Sequence, residues 1–353
     1  MPSALLIGKN GAGKSTTASA LEVLQKICRG INRMRDLEKL NLISSKDFAR
    51  GRSDVPIRFE IEVLLQDKLY KYVLALDLPE KFRELRVFEE QLLVAEDPIY
   101  SRKEAQVTLH TSPSQQNREA QFRVDWHLVA LPVIQEQSET DPLHIFKTWL
   151  ARMIILAPIP SLMTGDSNGE TLEPKRDGSN FGEWVSGLLS RYPAAYTQMV
   201  DKYLLEVMPD IQDFLNELIG KDSKSMIVRF EENNANLSIE FNDLSDGEKC
   251  FFLCAVVLAA NKFYGPLFCF WDEPDNYLSL SEVGHFLTSL RRSYKNSGQI
   301  LVTSHNPEAI RKFSNENTFV LYRNSHLEPT LVRLRADIPV KGDFIDTLIR
   351  GDI

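Results

Sequence analysis

The chain has 353 residues, 43% hydrophobic and 25% charged, which are ordinary proportions for a globular protein. Its formal charge of −8 excludes a generally basic nucleic-acid coat while leaving room for a local basic face. No run approaches the length of a membrane span and no basic-then-apolar signal segment opens the chain, so a cytoplasmic protein without a membrane anchor is expected.

The first predicted element is a short buried strand at residues 4–7. Gly8-Lys9-Asn10-Gly11-Ala12-Gly13-Lys14-Ser15-Thr16 follows it and satisfies G-x-x-x-x-G-K-[ST], and a helix-forming stretch occupies 14–28. Strand, glycine loop and helix together make a nucleoside-triphosphate phosphate loop. Glycines 8, 11 and 13 let the backbone curl so that several N–H groups face one anion, and the helix adds the positive end of its dipole. Residues Asn10, Gly11, Ala12, Gly13, Lys14, Ser15 and Thr16 are therefore expected to hold the phosphates of a nucleoside triphosphate. Lys14 would reach the β- and γ-phosphates, and the Ser15 hydroxyl would ligate Mg²⁺.

Residues 29–56 are polar and read as a helix end and a loop. The period then changes. Residues 57–63 alternate strictly, Gln66-Asp67-Lys68 turns the chain, and 69–76, 83–94, 105–109 and 121–126 read as further strands of a β-rich lobe. Residues 111–120 are turn-rich and are expected to form an exposed loop. From 142 to 220 the pattern becomes helical, interrupted by prolines, with a short strand at 153–157. Strands return at 225–230 and 237–241. No heptad repeat is sustained, which excludes a long coiled coil.

Leu244-Ser245-Asp246-Gly247-Glu248 opens an apolar helix at 250–262, and Ser245 with Asp246 also reads as an ordinary N-cap pair. The apolar strand 267–271 ends in Asp272-Glu273-Pro274. A central parallel strand delivers such carboxylates at its C-terminal end, so Asp272 is expected to hold Mg²⁺ through water and Glu273 to orient and deprotonate the attacking water. A second buried strand, 299–303, ends in Ser304-His305, placing His305 to contact the γ-phosphate. Lys14, Glu273 and His305 are thus the candidate catalytic residues, and Ser15 and Asp272 the candidate metal ligands. The four cysteines (Cys28, Cys250, Cys254, Cys269) form no C-x-x-C pair and read as small buried thiols rather than a zinc site.

Taken in order, these segments resemble ABC-type ATPase heads of the SMC, RecF and OLD kind, in particular the compact bacterial AAA-type ATP-binding proteins of that class. The phosphate loop is similar to Walker A, and 244–248 to the signature motif, with Asp246 in place of its first glycine. Residues 271–274 are similar to Walker B, 275–278 to the D-loop and Thr303-Ser304-His305 to the switch histidine. Leu172 to Asn180 resembles an Asp-Gly-Ser-Asn segment of compact members. The resemblance implies an α/β P-loop NTPase fold: an ABC-ATPase head with a parallel core sheet, an antiparallel β lobe and a helical insertion. It divides the chain into residues 1–135 (first half of the head with the β lobe), 136–224 (helical insertion) and 225–353 (second half of the head).

The resemblance further implies ATP hydrolysis and a homodimer, or higher homo-oligomer, in which ATP is sandwiched between subunits and touched in trans by Ser245 and the Gly247 N–H. Its functional setting is anti-phage defence or DNA repair. A separate nuclease or toxin is the expected effector, because the chain ends too soon after His305 for an attached Toprim nuclease domain. DNA is a further candidate partner. Two alternatives stand beside this reading: the ATPase subunit of an ABC transporter, and an ATP-binding regulatory module with little turnover. Relatives of this type carry an adenine contact ahead of Walker A. Here seven residues precede Gly8, so either the start is truncated or another segment holds the base. Gln91 is the best candidate for the Q-loop glutamine.

Overall fold

A computed structural model describes residues 1–110, 120–339 and 342–350, with the side chains of 349 and 350 excepted. Its strands, in chain order, are β1 (Ser3–Gly8), β2 (Ile57–Leu65), β3 (Lys68–Asp77), β4 (Arg86–Val94), β5 (Asp97–Lys103), β6 (Gln106–Leu109), β7 (Ala120–Arg123), β8 (Ile154–Leu156), β9 (Ile211–Leu218), β10 (Lys224–Glu232), β11 (Ala235–Glu240), β12 (Phe268–Trp271), β13 (Gln299–Thr303), β14 (Thr318–Tyr322) and β15 (Leu331–Leu334). The chain forms two compact units. One comprises Met1–Ala18 and Met153–Ile353, and the other Ser19–Arg152.

The first unit is built on a six-stranded sheet in the order β15-β14-β1-β13-β12-β8. Every neighbouring pair is parallel except β14–β15. Strands buried on both faces read as unbroken apolar runs, which is how Ala4-Leu5-Leu6-Ile7 and Phe268-Cys269-Phe270-Trp271 read. The helix Asp246–Tyr264 is apolar around its circumference and correspondingly buried along most of its length. The helix Leu280–Tyr294 buries one stripe, Val283, Phe286, Leu287, Leu290 and Tyr294. Trp271 is fully buried and packs edge-on against Phe286 with ring centroids 5.5 Å apart, so its bulk fills the core beside the acid pair. A separate three-stranded antiparallel sheet, β11-β10-β9, belongs to the same unit.

The second unit holds an antiparallel meander, β2-β3-β4-β5-β6-β7. The turn expected at Gln66-Asp67 is present, with both residues in the left-handed region (φ 49 and 62) that matches the twist of a tight hairpin. The sheet contains one strand the alternation does not reveal: β5, whose Pro98, Ser101 and Arg102 interrupt any apolar period. In the first unit, residues 211–218 fall in the stretch expected to be helical but form β9. They follow Pro209, and Ile211 and Phe214 are the residues that pack inward. The exposed loop expected at 111–120 lies outside the described residues except for Ala120, which opens β7.

The second unit carries a buried carboxylate, Glu90. It accepts hydrogen bonds from the hydroxyls of Tyr72 (3.2 Å) and Tyr100 (2.7 Å) and from the backbone N–H groups of Ala130 and Leu131 (both 2.8 Å). The Arg102 guanidinium lies 3.6 Å away, also fully buried. A charge in the interior is tolerable only with such complete pairing. Glu90→Gln converts acceptor capacity into an NH₂ facing these donors. It is expected to lower stability by about 2–3 kcal/mol, the worth of hydrogen bonds to a charged group, as read from a urea unfolding midpoint.

Candidate functional site: a phosphate loop facing an acid pair

The site is assembled at the C-terminal ends of β1, β12 and β13, where ligands of open parallel sheets bind. Three glycines of the loop that leaves β1 have positive φ: Gly8 (155), Gly11 (79) and Gly13 (106). At Gly8 the demand is also steric, since a Cβ there would stand 2.3 Å from the Leu321 carbonyl oxygen. Lys14 and Ser15 then begin the helix Lys14–Cys28, so its free N–H groups and positive dipole end point out of the loop.

β1 lies next to β13, which lies next to β12, and this order closes a gap of 257 positions. The Ser15 hydroxyl donates to Asp272 Oδ2 at 2.8 Å. The other Asp272 oxygen accepts from the Thr303 hydroxyl, which in turn accepts from the Glu273 N–H at 2.9 Å. Lys14 is almost fully buried and donates to the Gly8 carbonyl at 2.9 Å. Burial pushes its ammonium pKa down, opposed by the negative charges of Glu273 and Asp272. Glu273 has a left-handed backbone (φ 49), uncommon for a non-glycine residue and characteristic of strained functional positions. One carboxylate oxygen accepts from Asn276 Nδ2 at 2.6 Å, and the other lies 3.4 Å from His305 Nε2. Burial lowers the His305 pKa and nearby Lys14 lowers it further, opposed by the negative charges of Glu273 and Asp272. Asp275 is buried, accepts from the Ser304 hydroxyl at 2.8 Å, and has its pKa raised by burial. Ser304 ties the D-loop to the segment that carries His305.

The donor set fits magnesium. Ser15 Oγ and Asp272 are hard oxygen ligands already within hydrogen-bond distance of each other, beside a loop shaped for phosphate. A small cavity of about 150 Å³ adjoins the site, lined by Gly8, Lys9, Ser304 and His305 and bordered by Ile345 and Leu348 of the helix Phe344–Arg350.

Residues 3–127 and 150–311 match the family described as "AAA domain, putative AbiEii toxin, Type IV TA system". The chain belongs to this family. Among solved structures it is similar to the SmcHead bound to the C-winged helix domain of ScpA, at 14% identity and TM-score 0.48, covering 94% of this chain and 89% of that one. It is also similar to the Pyrococcus furiosus Smc head domain with an extended coiled coil bound to the C-terminal domain of ScpA (11% identity, TM-score 0.45, 99% and 92% covered). A third is the SMC head domain from Thermotoga maritima (13% identity, TM-score 0.36, 96% and 90% covered). No curated protein matches the chain.

In this AAA-family chain, Lys14, Ser15, Asp272, Glu273 and His305 lie close to one another. Asn10, Gly11, Ala12, Gly13 and Thr16 flank them on the loop and the first helical turn. Ser245 and Gly247 have a different neighbourhood, at the start of the helix Asp246–Tyr264. Ser245 forms a reciprocal cap with Glu248, accepting from the Glu248 N–H at 3.3 Å while its own N–H donates to the Glu248 carboxylate at 2.8 Å. A Cβ on Gly247 would stand 3.1 Å from the Tyr277 carbonyl oxygen, so this glycine lets the signature segment lie against the D-loop. Gln91 sits mid-strand on β4, paired with Val73 and Ser101 in the second unit. Asp275 and Asn276 fall in the D-loop-like segment and Thr303 in the switch segment, but the sequence assigns none of the three a role of its own; that comes from their contacts with Ser304, Glu273 and Asp272. No helix among the described residues is long and apolar enough to cross a membrane.

Proposed function

We propose that this chain binds and hydrolyses ATP and works as an ATP-driven dimerisation switch in an anti-phage or other DNA-linked system, with nuclease or toxin chemistry in a separate polypeptide. The observation that carries the reading is the 2.8 Å contact between Ser15 and Asp272, which joins the two halves of the site. Family membership supports the ATPase core, and the family description supports the defence setting.

The loop N–H groups and Lys14 bind the phosphates, and Ser15 with Asp272 would hold Mg²⁺. When bound, the ion neutralises charge on the phosphate oxygens. Thr303 fixes the Asp272 carboxylate, and its bond to the Glu273 N–H aligns the two acids. Glu273 takes the proton of the attacking water, its carboxylate oriented by Asn276 and faced by His305. Ser245 and the Gly247 N–H of a second copy would complete the γ-phosphate cage, making ATP the bridge of the dimer.

Light scattering after size exclusion, with and without Mg-ATP, combined with phosphate release, tests this. The expected outcome is a monomer that doubles in mass with ATP and reverts as phosphate is released. Tight ATP binding at unchanged mass would remove the switch, and no ATP binding would remove the site. A salt-titrated DNA-binding curve with and without ATP tests the DNA link.

A further inference from the structure

β14 runs parallel to β1, Leu6 beside Phe319 and Gly8 beside Leu321, so its C-terminal end lies next to the phosphate loop. The chain leaves β14 at Arg323, and residues 323–330 turn it back into antiparallel β15. Both ends of this hairpin loop reach the glycine cradle. The Thr330 hydroxyl donates to the Ala12 carbonyl at 2.9 Å and lies 3.7 Å from where a Cβ on Gly13 would stand. Arg323 Nη2 lies 3.5 Å from the corresponding point on Gly11. Among the described residues no hydrogen bond or ion pair occupies the Arg323 guanidinium.

An unpaired guanidinium held against a backbone nest has one obvious chemical complement. The nest presents N–H donors to an anion, and the planar arginine fork matches phosphate oxygens bidentately. The sequence offered no basic residue besides those of the loop itself for this position. We propose that Arg323 is a second cationic ligand of the nucleotide's phosphates, acting in cis beside Lys14. Thr330 pins the far end of the hairpin so that the arginine stays over the loop. This inference rests on the reading of the site as a nucleoside-triphosphate site.

The test is displacement of a fluorescent ATP analogue by ATP and by inorganic triphosphate, both with magnesium, from wild type, Lys14→Ala, Arg323→Gln and Arg323→Lys. Arg323→Gln is expected to weaken both competitors by about tenfold, and Arg323→Lys by less because the charge is kept. The melting temperature of nucleotide-free protein should be unchanged, since Arg323 has no hydrogen-bond or ion-pair partner among the described residues to lose. Equal ATP affinity in wild type and Arg323→Gln overturns the inference. So does a loss for ATP without a loss for triphosphate, which would place the arginine on the base or ribose. A fall in nucleotide-free melting temperature large enough to account for the binding loss also overturns it, by making Arg323 a prop for the loop. A wild-type protein that binds neither competitor overturns the triphosphate site itself. Wild-type binding abolished by Lys14→Ala but untouched by Arg323→Gln sinks the arginine proposal alone.

Discussion

Glu273→Gln is expected to slow phosphate release by about 10²–10⁴-fold, the range for losing a positioned general base, while leaving ATP binding intact. The substitution keeps shape and hydrogen bonding: the Gln carbonyl can still accept from Asn276 Nδ2, and the Thr303 bond is to the backbone N–H of residue 273. What is lost is the ability to take a proton, together with the negative charge facing His305 and Lys14. The dimerisation reading adds a second consequence. With hydrolysis blocked, the ATP-bound dimer should persist, so mass measured by light scattering should stay doubled long after wild type has reverted. Unchanged turnover in the Gln variant would dismiss Glu273 as the base. Slow turnover without a longer-lived dimer would separate the chemistry from the switch.

Lys14→Ala is expected to raise the Kd for ATP by about 10- to 100-fold, the worth of a charge-assisted contact to phosphate, and to abolish measurable turnover. Lys14 is nearly buried, and its charge is opposed by desolvation and supported by the two acids of the β12 end. Removing it leaves Asp272 and Glu273 facing a polyanion without the intervening cation, so the loss should exceed that of one hydrogen bond. Isothermal titration with ATP and with ADP measures it. Affinity within twofold of wild type would mean that the loop does not use its lysine on phosphate, and the triphosphate assignment would fall with it.

The two halves of the site were legible because each is written locally. A phosphate loop needs its glycines, lysine and hydroxyl within a few residues, and an apolar strand ending in two acids states its own burial and its own polarity at the tip. Several elements were legible for the same reason: the strict alternation of β2, the left-handed turn at Gln66-Asp67 and the apolar helix after Ser245. β5 and β9 were not: Pro98, Ser101 and Arg102 interrupt any apolar period in β5, and β9 buries only Ile211 and Phe214, whose spacing of three reads as a helix. Thr303, Asn276 and Asp275 lie inside recognisable segments, yet their individual roles were not legible, since these arise from which strand ends become neighbours.

By itself the sequence determined the chemistry on offer: an anion cradle, two carboxylates, a histidine at a strand end and a capped helix after a signature-like segment. Only the tertiary structure decided that this chemistry converges. Placing β1 between β14 and β13 brings Ser15 within 2.8 Å of Asp272, and it also sets both ends of the 323–330 loop against the cradle, which nothing in residues 318–334 announces. The physical reason is that backbone propensity and short motifs act over a few residues. Strand order, by contrast, is chosen by how large apolar faces from distant segments pack into one core.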